Sequence, residues 1–258
     1  ELTMSPVRLE KQDSLAWLYL QRPEAYNAFA QKMAGELLEY LFQLRQDESV
    51  KVVAITREGS VFLAGGDLKW VSSHPSTAFH EWATRVHLCI TEIRHFPKPI
   101  LAVINGTAAG GGFSPTLACD FRLMAETARL KQAFTSQGLC LDGGGTWFLP
   151  RLVGLGCTLE ITALDEWILA EQALNCRSGN RVVSPKQLIT EILGWASRLA
   201  DRSSHAFATV KQLLNESWNN PLETQLEQEH QGLVRTIKLS DGQEGLSAFL
   251  EKRPPRFA

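Results

Sequence analysis

The chain reads as an α/β protein that ends in a helical region, and two observations predict this. Apolar β-like runs alternate with longer amphipathic segments up to residue 183, whereas from about Ser184 the strand signal stops and helical periodicity continues. A third observation gives the fold a purpose: two strand-like runs end in turns of small residues that lead toward helix-like stretches.

The elements follow in order. Residues 15–20, Leu-Ala-Trp-Leu-Tyr-Leu, are a short apolar and aromatic run of strand length, and residues 29–46 that follow are amphipathic. Residues 50–55 and 100–104 repeat the strand pattern, with an amphipathic stretch at 79–93 between them. A β-then-α repetition of this kind predicts right-handed ββα or βαβ units. Beyond Ser184 the pattern predicts helices over 186–200, 206–217 and 222–236. Residues 1–183 are therefore expected to form the α/β core and 184–258 a helical region, with no repeat, low-complexity tract or linker between them.

Composition bounds the function. With 258 residues and 44% hydrophobic content, the chain can bury a full core. A formal net charge of −2 implies no nucleic-acid or other polyanion partner. No apolar run approaches the roughly 20 residues that cross a bilayer, and the N-terminus carries no signal-peptide pattern. Glu1, Leu2 and Thr3 are expected to be foreign residues ahead of a native Met4. The five cysteines (Cys89, Cys119, Cys140, Cys157, Cys176) are odd in number and widely spaced, which predicts reduced thiols in a cytoplasmic protein. All five are expected to be structural, because free cysteine usually behaves as a small hydrophobe.

The two small-residue turns are Val61-Phe62-Leu63-Ala64-Gly65-Gly66-Asp67-Leu68-Lys69 and Asn105-Gly106-Thr107-Ala108-Ala109-Gly110-Gly111-Gly112. Each offers bare backbone N–H groups to a ligand oxygen. An acyl thioester that loses an α-proton develops negative charge on its carbonyl oxygen, and two preorganised N–H donors stabilise that enolate. Small side chains let the thioester approach the backbone, so together the turns are expected to form an oxyanion hole.

With these turns, the chain resembles the crotonase (enoyl-CoA hydratase/isomerase) superfamily nearly end to end. The resemblance begins at Gln21-Arg22-Pro23-Glu24-Ala25-Tyr26-Asn27-Ala28 and passes through both turns and Ala118-Cys119-Asp120-Phe121-Arg122. It continues through Gly144-Gly145-Thr146-Trp147-Phe148-Leu149-Pro150-Arg151 to Asp241-Gly242-Gln243-Glu244-Gly245 and Phe249-Leu250-Glu251-Lys252-Arg253. It implies a spiral of ββα units with a C-terminal helical region used in trimer formation, as a homotrimer or a dimer of trimers. It also implies an acyl-CoA or acyl-carrier thioester as ligand, with coenzyme A entering as part of the substrate and no separate cofactor or metal. The oxyanion donors implied are the N–H groups of Ala64 and Gly111. Substrate contacts are implied for Ala25, Gly66, Asp67, Leu68, Ser114, Phe134, Trp147, Phe249 and Lys252, with Phe249 and Lys252 reaching the CoA of a neighbouring subunit.

The acid/base residues decide the reaction. Where hydratases of the superfamily carry two glutamates, this chain has Ser114 and Phe134. Adding water across a conjugated double bond needs groups that orient the water and move two protons, a task usually shared by two carboxylates. The chain instead carries Asp142 in Gly138-Leu139-Cys140-Leu141-Asp142-Gly143-Gly144-Gly145-Thr146-Trp147. That pattern resembles the Asp-dependent isomerase branch, which includes epoxyphenylacetyl-CoA isomerases; dehalogenases of the superfamily place an Asp nucleophile there. By itself, an Asp beside three glycines is a turn or cap residue. The superfamily register makes it the candidate proton shuttle, and Leu139, Leu141, Phe134 and Trp147 are expected to desolvate it and raise its basicity.

One carboxylate suffices for a 1,3 proton shift, so an isomerase without efficient hydratase activity is the expected enzyme. The alternatives are a decarboxylase, a hydrolase or dehalogenase using Asp142 as nucleophile, and a non-catalytic acyl-CoA-binding homologue. Ser114 reads either as a donor to the acyl group or as a helix cap. His74, His80, His87 and His95 read as solvated or core residues rather than metal ligands. Asp67 is expected to fix its loop and the adenine pocket, with Lys69 solvated or facing phosphate. Trp70, Trp82, Trp147 and Trp167 are read as core, with an aromatic acyl pocket as the other role. The chain has no GxSxG elbow, Walker lysine or GxGxxG, which excludes those chemistries.

Overall fold

One step, repeated three times, builds most of the core. The chain lays a strand in a large sheet, then a short strand in a small sheet, and then turns into a helix. The first pass is β3 (Val52–Arg57), β4 (Val61–Leu63) and α2 (Pro75–His95). The second is β5 (Ile100–Ile104), β6 (Thr107–Ala109) and α3 (Phe113–Ala118). The third is β7 (Phe121–Ala125) and β8 (Arg129–Lys131), followed by α4 (Gly145–Val153) and α5 (Leu155–Leu164). The result is the crotonase-like spiral. The structure is a computed structural model that describes residues 5–66 and 75–257, so Asp67, Leu68, Lys69, Trp70 and His74 lie outside the described residues.

Ahead of the spiral, β1 (Val7–Gln12) and β2 (Leu15–Leu20) form an antiparallel hairpin, and α1 (Gln31–Gln46) leads to β3. After it come β9 (Ile168–Leu169), α6 (Ala170–Asn175) and β10 (Arg181–Val183). The large sheet has the order β1-β2-β3-β5-β7-β10 and the small one β4-β6-β8-β9. From β2 to β10 the large sheet is parallel, with Leu15 opposite Val52 and Val53 opposite Ile100. Parallel strands are covered on both faces, and this is why 100–104 reads as an unbroken Ile-Leu-Ala-Val-Ile run with every residue buried. Helix α1 buries Met33, Ala34, Leu37, Leu41 and Leu44, the i, i+3, i+4 stripe that its periodicity predicts. At its C-terminal end the Lys98 ammonium donates to the carbonyls of Leu44 (2.6 Å) and Asp47 (2.7 Å), placing a cation where the helix dipole favours one.

The predicted C-terminal helices are present as α7 (Leu188–Ala200), α8 (Ser204–Glu216) and α9 (Leu222–Ile237), and a fourth, α10 (Ser240–Leu250), follows. Helix α7 packs on β3 and β7. Helix α8 is tied to the core by a buried ion pair: Lys211 Nζ donates to Asp120 Oδ2 at 2.8 Å and to the Ile93 carbonyl at 3.2 Å. Asp120 Oδ2 also accepts the Ile100 N–H at 2.9 Å. Burial pushes the Lys211 ammonium below its ordinary pKa, and the Asp120 carboxylate opposes that shift. No helix among the described residues is long and apolar enough to cross a membrane.

Removing one partner of a buried pair leaves the other charge without compensation. Lys211→Met is therefore expected to lower unfolding stability by about 3–5 kcal/mol in urea titrations. Lys211→Met combined with Asp120→Asn should lose less than the single variant, and a larger loss in the double variant would contradict the ion-pair account.

Candidate active site

The site is built where β4 and β6 end side by side. These strands pair in parallel, so Ala64-Gly65-Gly66 leaving β4 lies against the one-turn 3-10 helix Gly110–Gly112 leaving β6. A Cβ added to Gly65 would stand 3.3 Å from the Gly111 nitrogen, and one on Gly111 would stand 3.3 Å from the Gly66 nitrogen. The backbones touch because neither carries a side chain. Beneath both lies the indole of Trp82, held by its N–H to the Phe29 carbonyl at 2.6 Å. A Cβ on Gly111 would press into that ring at 2.7 Å, so glycine is required there. Trp82 is buried and serves as this floor.

The structure gives Ala64 a different task from the one expected. Its N–H donates to the Tyr26 carbonyl at 3.3 Å, while the Phe29 N–H donates to the Gly65 carbonyl at 3.2 Å. These bonds hold the segment carrying Ala25, whose 3-10 turn Pro23–Ala25 is followed by Tyr26 and Asn27 in left-handed conformation. The buried Asn27 side chain fixes the same segment, donating to the carbonyls of Glu58 (3.0 Å) and Val61 (2.8 Å). The amide that lies beside Gly111 is that of Gly66, two residues further on.

Asp142 sits in the turn that precedes α4 and is anchored to the second glycine segment. The Ser114 hydroxyl, buried in α3 and three residues beyond Gly111, donates to the Asp142 carbonyl at 2.5 Å. Ser114 is therefore not the cap of α3, whose first residue is preceded by Gly112 with no side-chain cap. Nor is its hydroxyl hydrogen free for an acyl group. Phe134 is buried, and its carbonyl accepts the N–H groups of Gln137 (2.9 Å) and Leu139 (3.0 Å).

The expected apolar enclosure of Asp142 is only half built. Leu141 and Phe134 are buried, but Leu139 is exposed, and the Asp142 side chain keeps 32% of its surface accessible. A polar partner stands beside it instead: Asp142 Oδ1 lies 2.9 Å from Nε2 of His87, a residue 50% exposed on α2. His87 was read from sequence as a solvated or core histidine. Its place at the margin of the buried Val86, Cys89, Ile90 stripe of α2 was the available signal, because a titratable residue there is held by the helix yet open to a neighbour.

The remaining candidates are dispersed. Trp147 is partly buried, in edge contact with Phe148 and stacked by the Arg151 guanidinium at 3.9 Å from its ring centre. Trp167 instead meets Arg129 at 4.0 Å on the small sheet. Phe249 is 79% exposed at the end of α10, and Lys252 follows in a left-handed turn. Bidentate pairing of Arg253 with Glu244 (2.6 and 2.9 Å) fixes that tail and draws the Glu244 carboxyl down to about 2. Burial pushes the thiols of Cys89 and Cys119 up, and both are core residues. Cys140 is exposed, contrary to the structural role expected of it.

Residues 10–258 match the model of a family described as enoyl-CoA hydratase/isomerase. The chain belongs to the enoyl-CoA hydratase/isomerase family. Its relatives include a crotonyl-CoA hydratase of Syntrophomonas wolfei, 31% identical over 96% of both chains. A 1,2-epoxyphenylacetyl-CoA isomerase of Escherichia coli is 32% identical over 93% of both. A 4-chlorobenzoyl coenzyme A dehalogenase of Arthrobacter sp. is 31% identical over 95% of this chain and 91% of its own. A crystal structure of an enoyl-CoA hydratase from Polaromonas sp. JS666 superposes with a TM-score of 0.92 at 33% identity, covering 98% of this chain and 99% of that one. The family thus contains hydratases, isomerases and dehalogenases at nearly equal distance from this chain, and the choice among them rests on the site.

Proposed function

We propose that this family member isomerises an acyl-CoA, or an acyl-carrier thioester, by removing and returning a proton, without efficient hydratase activity. The observation that carries the reading is the fate of the two positions held by glutamate in hydratases. Ser114 is buried and bonded to the Asp142 carbonyl, and Phe134 is buried, so neither position supplies a carboxylate to orient water. Asp142 supplies the carboxylate instead. In this mechanism the N–H groups of Gly66 and Gly111 hold the thioester oxygen as negative charge develops on it. Asp142 removes a proton from one carbon of the acyl chain and returns it to another. The Nε2–H of His87 donates to Oδ1, which steadies the carboxylate and leaves Oδ2 for the proton; this tautomer follows from the acceptor it faces.

The His87–Asp142 contact also supports a second reading. A proton shuttle needs no imidazole, whereas a carboxylate nucleophile that forms an ester with its substrate needs a base to activate the water that cleaves it. In this reading His87, 2.9 Å from Asp142, would be that base, and a dehalogenase among the relatives makes the chemistry relevant. For assembly we propose the homotrimer or dimer of trimers that the superfamily resemblance implies. Trp218, Leu222, Leu226, Leu233, Phe249 and Leu250 are large apolar residues left exposed in the C-terminal region, consistent with a covering subunit.

Asp142→Asn is expected to cut turnover of a 3-enoyl-CoA by about 10²–10⁴-fold while CoA binding persists. Solvent deuterium should enter the product in the wild type and be lost from it in the variant. Near-normal turnover by Asp142→Asn would remove the acid/base assignment. For the oxyanion donors, Gly66→Ala keeps the N–H and places its Cβ at van der Waals distance, 3.4 Å, from Trp82. Gly66→Pro deletes the N–H, and its turnover should fall by about 10²–10³ relative to Gly66→Ala; equal rates would show that this amide is not a donor. His87→Gln separates the two readings. In a proton shuttle it should cost no more than about tenfold, because the amide can still donate to Asp142. In the ester route it should leave a covalent adduct on Asp142, seen as a mass increase of the intact protein when a halogenated aryl-CoA is supplied.

A further inference from the structure

Two of the five thiols face each other away from the Asp142 site. Cys157 lies in the first turn of α5, and Cys176 ends α6, where its N–H donates to the Gln172 carbonyl at 2.9 Å. The chain returns between them through β9, and both residues line one cavity of about 150 Å³. There the two side chains stand in hydrogen-bonding contact with each other. Both residues are half-buried and keep part of their surface in solvent, whereas Cys89 and Cys119 are sealed in the core.

The surroundings narrow what such a pair can do. Ile161 and Ile168 line the cavity together with Glu160 and Glu166, so its charged groups are carboxylates, which suit no anionic ligand. Among the described residues no group of three His, Cys, Asp or Glu side chains could hold a metal ion. What remains is chemistry between the sulfurs themselves. Burial pushes the Cys157 thiol up, and the Cys176 thiol beside it adds to that shift. Cys176 has a partner of its own, because Ser178 Oγ lies 3.2 Å from its sulfur and can donate to a thiolate there. The pair is thus asymmetric, with Cys157 held as a thiol beside a sulfur that a hydroxyl supports.

We propose that Cys157 and Cys176 form a site of reversible oxidative modification, at which a hydroperoxide converts the pair to a disulfide linking α5 to the end of α6. The site stands independently of the reaction assigned to Asp142. In the first step the Cys176 sulfur attacks one peroxide oxygen. The O–O bond breaks, the far oxygen leaves with the thiol proton as water or an alcohol, and Cys176 becomes a sulfenic acid. The Cys157 sulfur then attacks the sulfenic sulfur. The S–O bond breaks, the S–S bond forms, and water leaves with the Cys157 proton. The thiols together lose the two electrons that the peroxide gains, and an external dithiol returns them.

The link would close residues 157–176 into a loop that contains Asp165. That buried carboxylate accepts the N–H groups of Ala133 (2.8 Å) and Ser136 (3.3 Å), on either side of Phe134. A cross-link that the native geometry already accommodates restrains the unfolded chain without straining the folded one.

Treating the reduced, desalted protein with hydrogen peroxide and then with iodoacetamide tests the assignment. Trypsin releases residues 152–177 as one fragment that holds both cysteines and no others. In the wild type this fragment should escape alkylation and weigh about 2 Da less than its reduced form, the two hydrogens lost to the disulfide. Cleavage after Glu160, Glu166 and Glu171 should leave the two cysteine-bearing pieces joined until dithiothreitol is added. Alkylation of both thiols, oxidation of either without joining, or a disulfide to Cys140 instead would overturn the inference, and this result needs no variant to fold. The oxidised protein should melt at or above the temperature of the reduced one; a lower melting temperature would show that the fold must distort to form the link, and would overturn it equally. In Cys157→Ser the sulfenic acid of Cys176, left without its partner, should be captured by dimedone. Capture at Cys157 in Cys176→Ser, with none at Cys176 in Cys157→Ser, would overturn the order of the steps.

Discussion

The constraint on which the rest of the structure depends is the approach of two backbones, Gly65-Gly66 and Gly110–Gly112, to van der Waals distance over one indole ring. Parallel pairing of β4 with β6 brings the segments together, and Trp82, fastened to the Phe29 carbonyl, fixes how far they can close. Each neighbour then takes its place from that contact. Phe29 and Tyr26 are bonded to Gly65 and Ala64, so the segment before α1 follows the first glycine turn. Ser114, placed by the helix that the second turn starts, reaches the Asp142 carbonyl and draws the Asp142 turn to the same point. A side chain at Gly111 would push on Trp82 and loosen all of these together.

Much of this fold was legible in the sequence because parallel strands, covered on both faces, write themselves as short apolar runs. Residues 15–20 and 100–104 match β2 and β5 in both ends. The hairpin strand β1, Val-Arg-Leu-Glu-Lys-Gln, escaped because an edge strand half in solvent carries too few apolar residues. Three-residue strands such as β4, β6 and β8 have no period to detect; they exist because the neighbouring passes of the spiral pair with them. The C-terminal helices were legible as elements, but α8's attachment through Lys211 was not, since the partner carboxylate lies 91 positions away.

The site shows the same division between local and distant information. That two glycine turns would meet was readable from their composition. Which amide lies beside Gly111 was not, because Ala64's N–H is engaged by a carbonyl 38 positions earlier, exposed by the left-handed turn at Tyr26 and Asn27. His87 illustrates the limit more sharply. Its identity as a helix-margin histidine is local, but its contact with Asp142 spans 55 positions and depends on the Ser114 anchor as well as on α2. The desolvation expected of Asp142 was inferred from flanking residues alone, and Leu139 is turned outward while the His87 imidazole stands beside the carboxylate.

This contact bears on how one fold serves several reactions. An oxyanion hole stabilises charge on the thioester oxygen whichever way the chemistry proceeds, so it does not distinguish a proton shift from hydration or displacement. What distinguishes them is the equipment on the other side of the acyl group: how many carboxylates face it, whether water is oriented, and whether a second base stands by. On the proposed reading, a phenyl ring and a committed serine stand at the positions where hydratases carry glutamates, which removes the means of orienting water there. His87 then adds a group that either steadies the carboxylate or serves as a base. The same 2.9 Å contact suits both roles, so the outcome turns on whether the substrate offers Asp142 an acidic C–H or a carbon bearing a leaving group. On the proposed mechanism, reaction type is thus set jointly by Asp142 and by the acyl group presented to it.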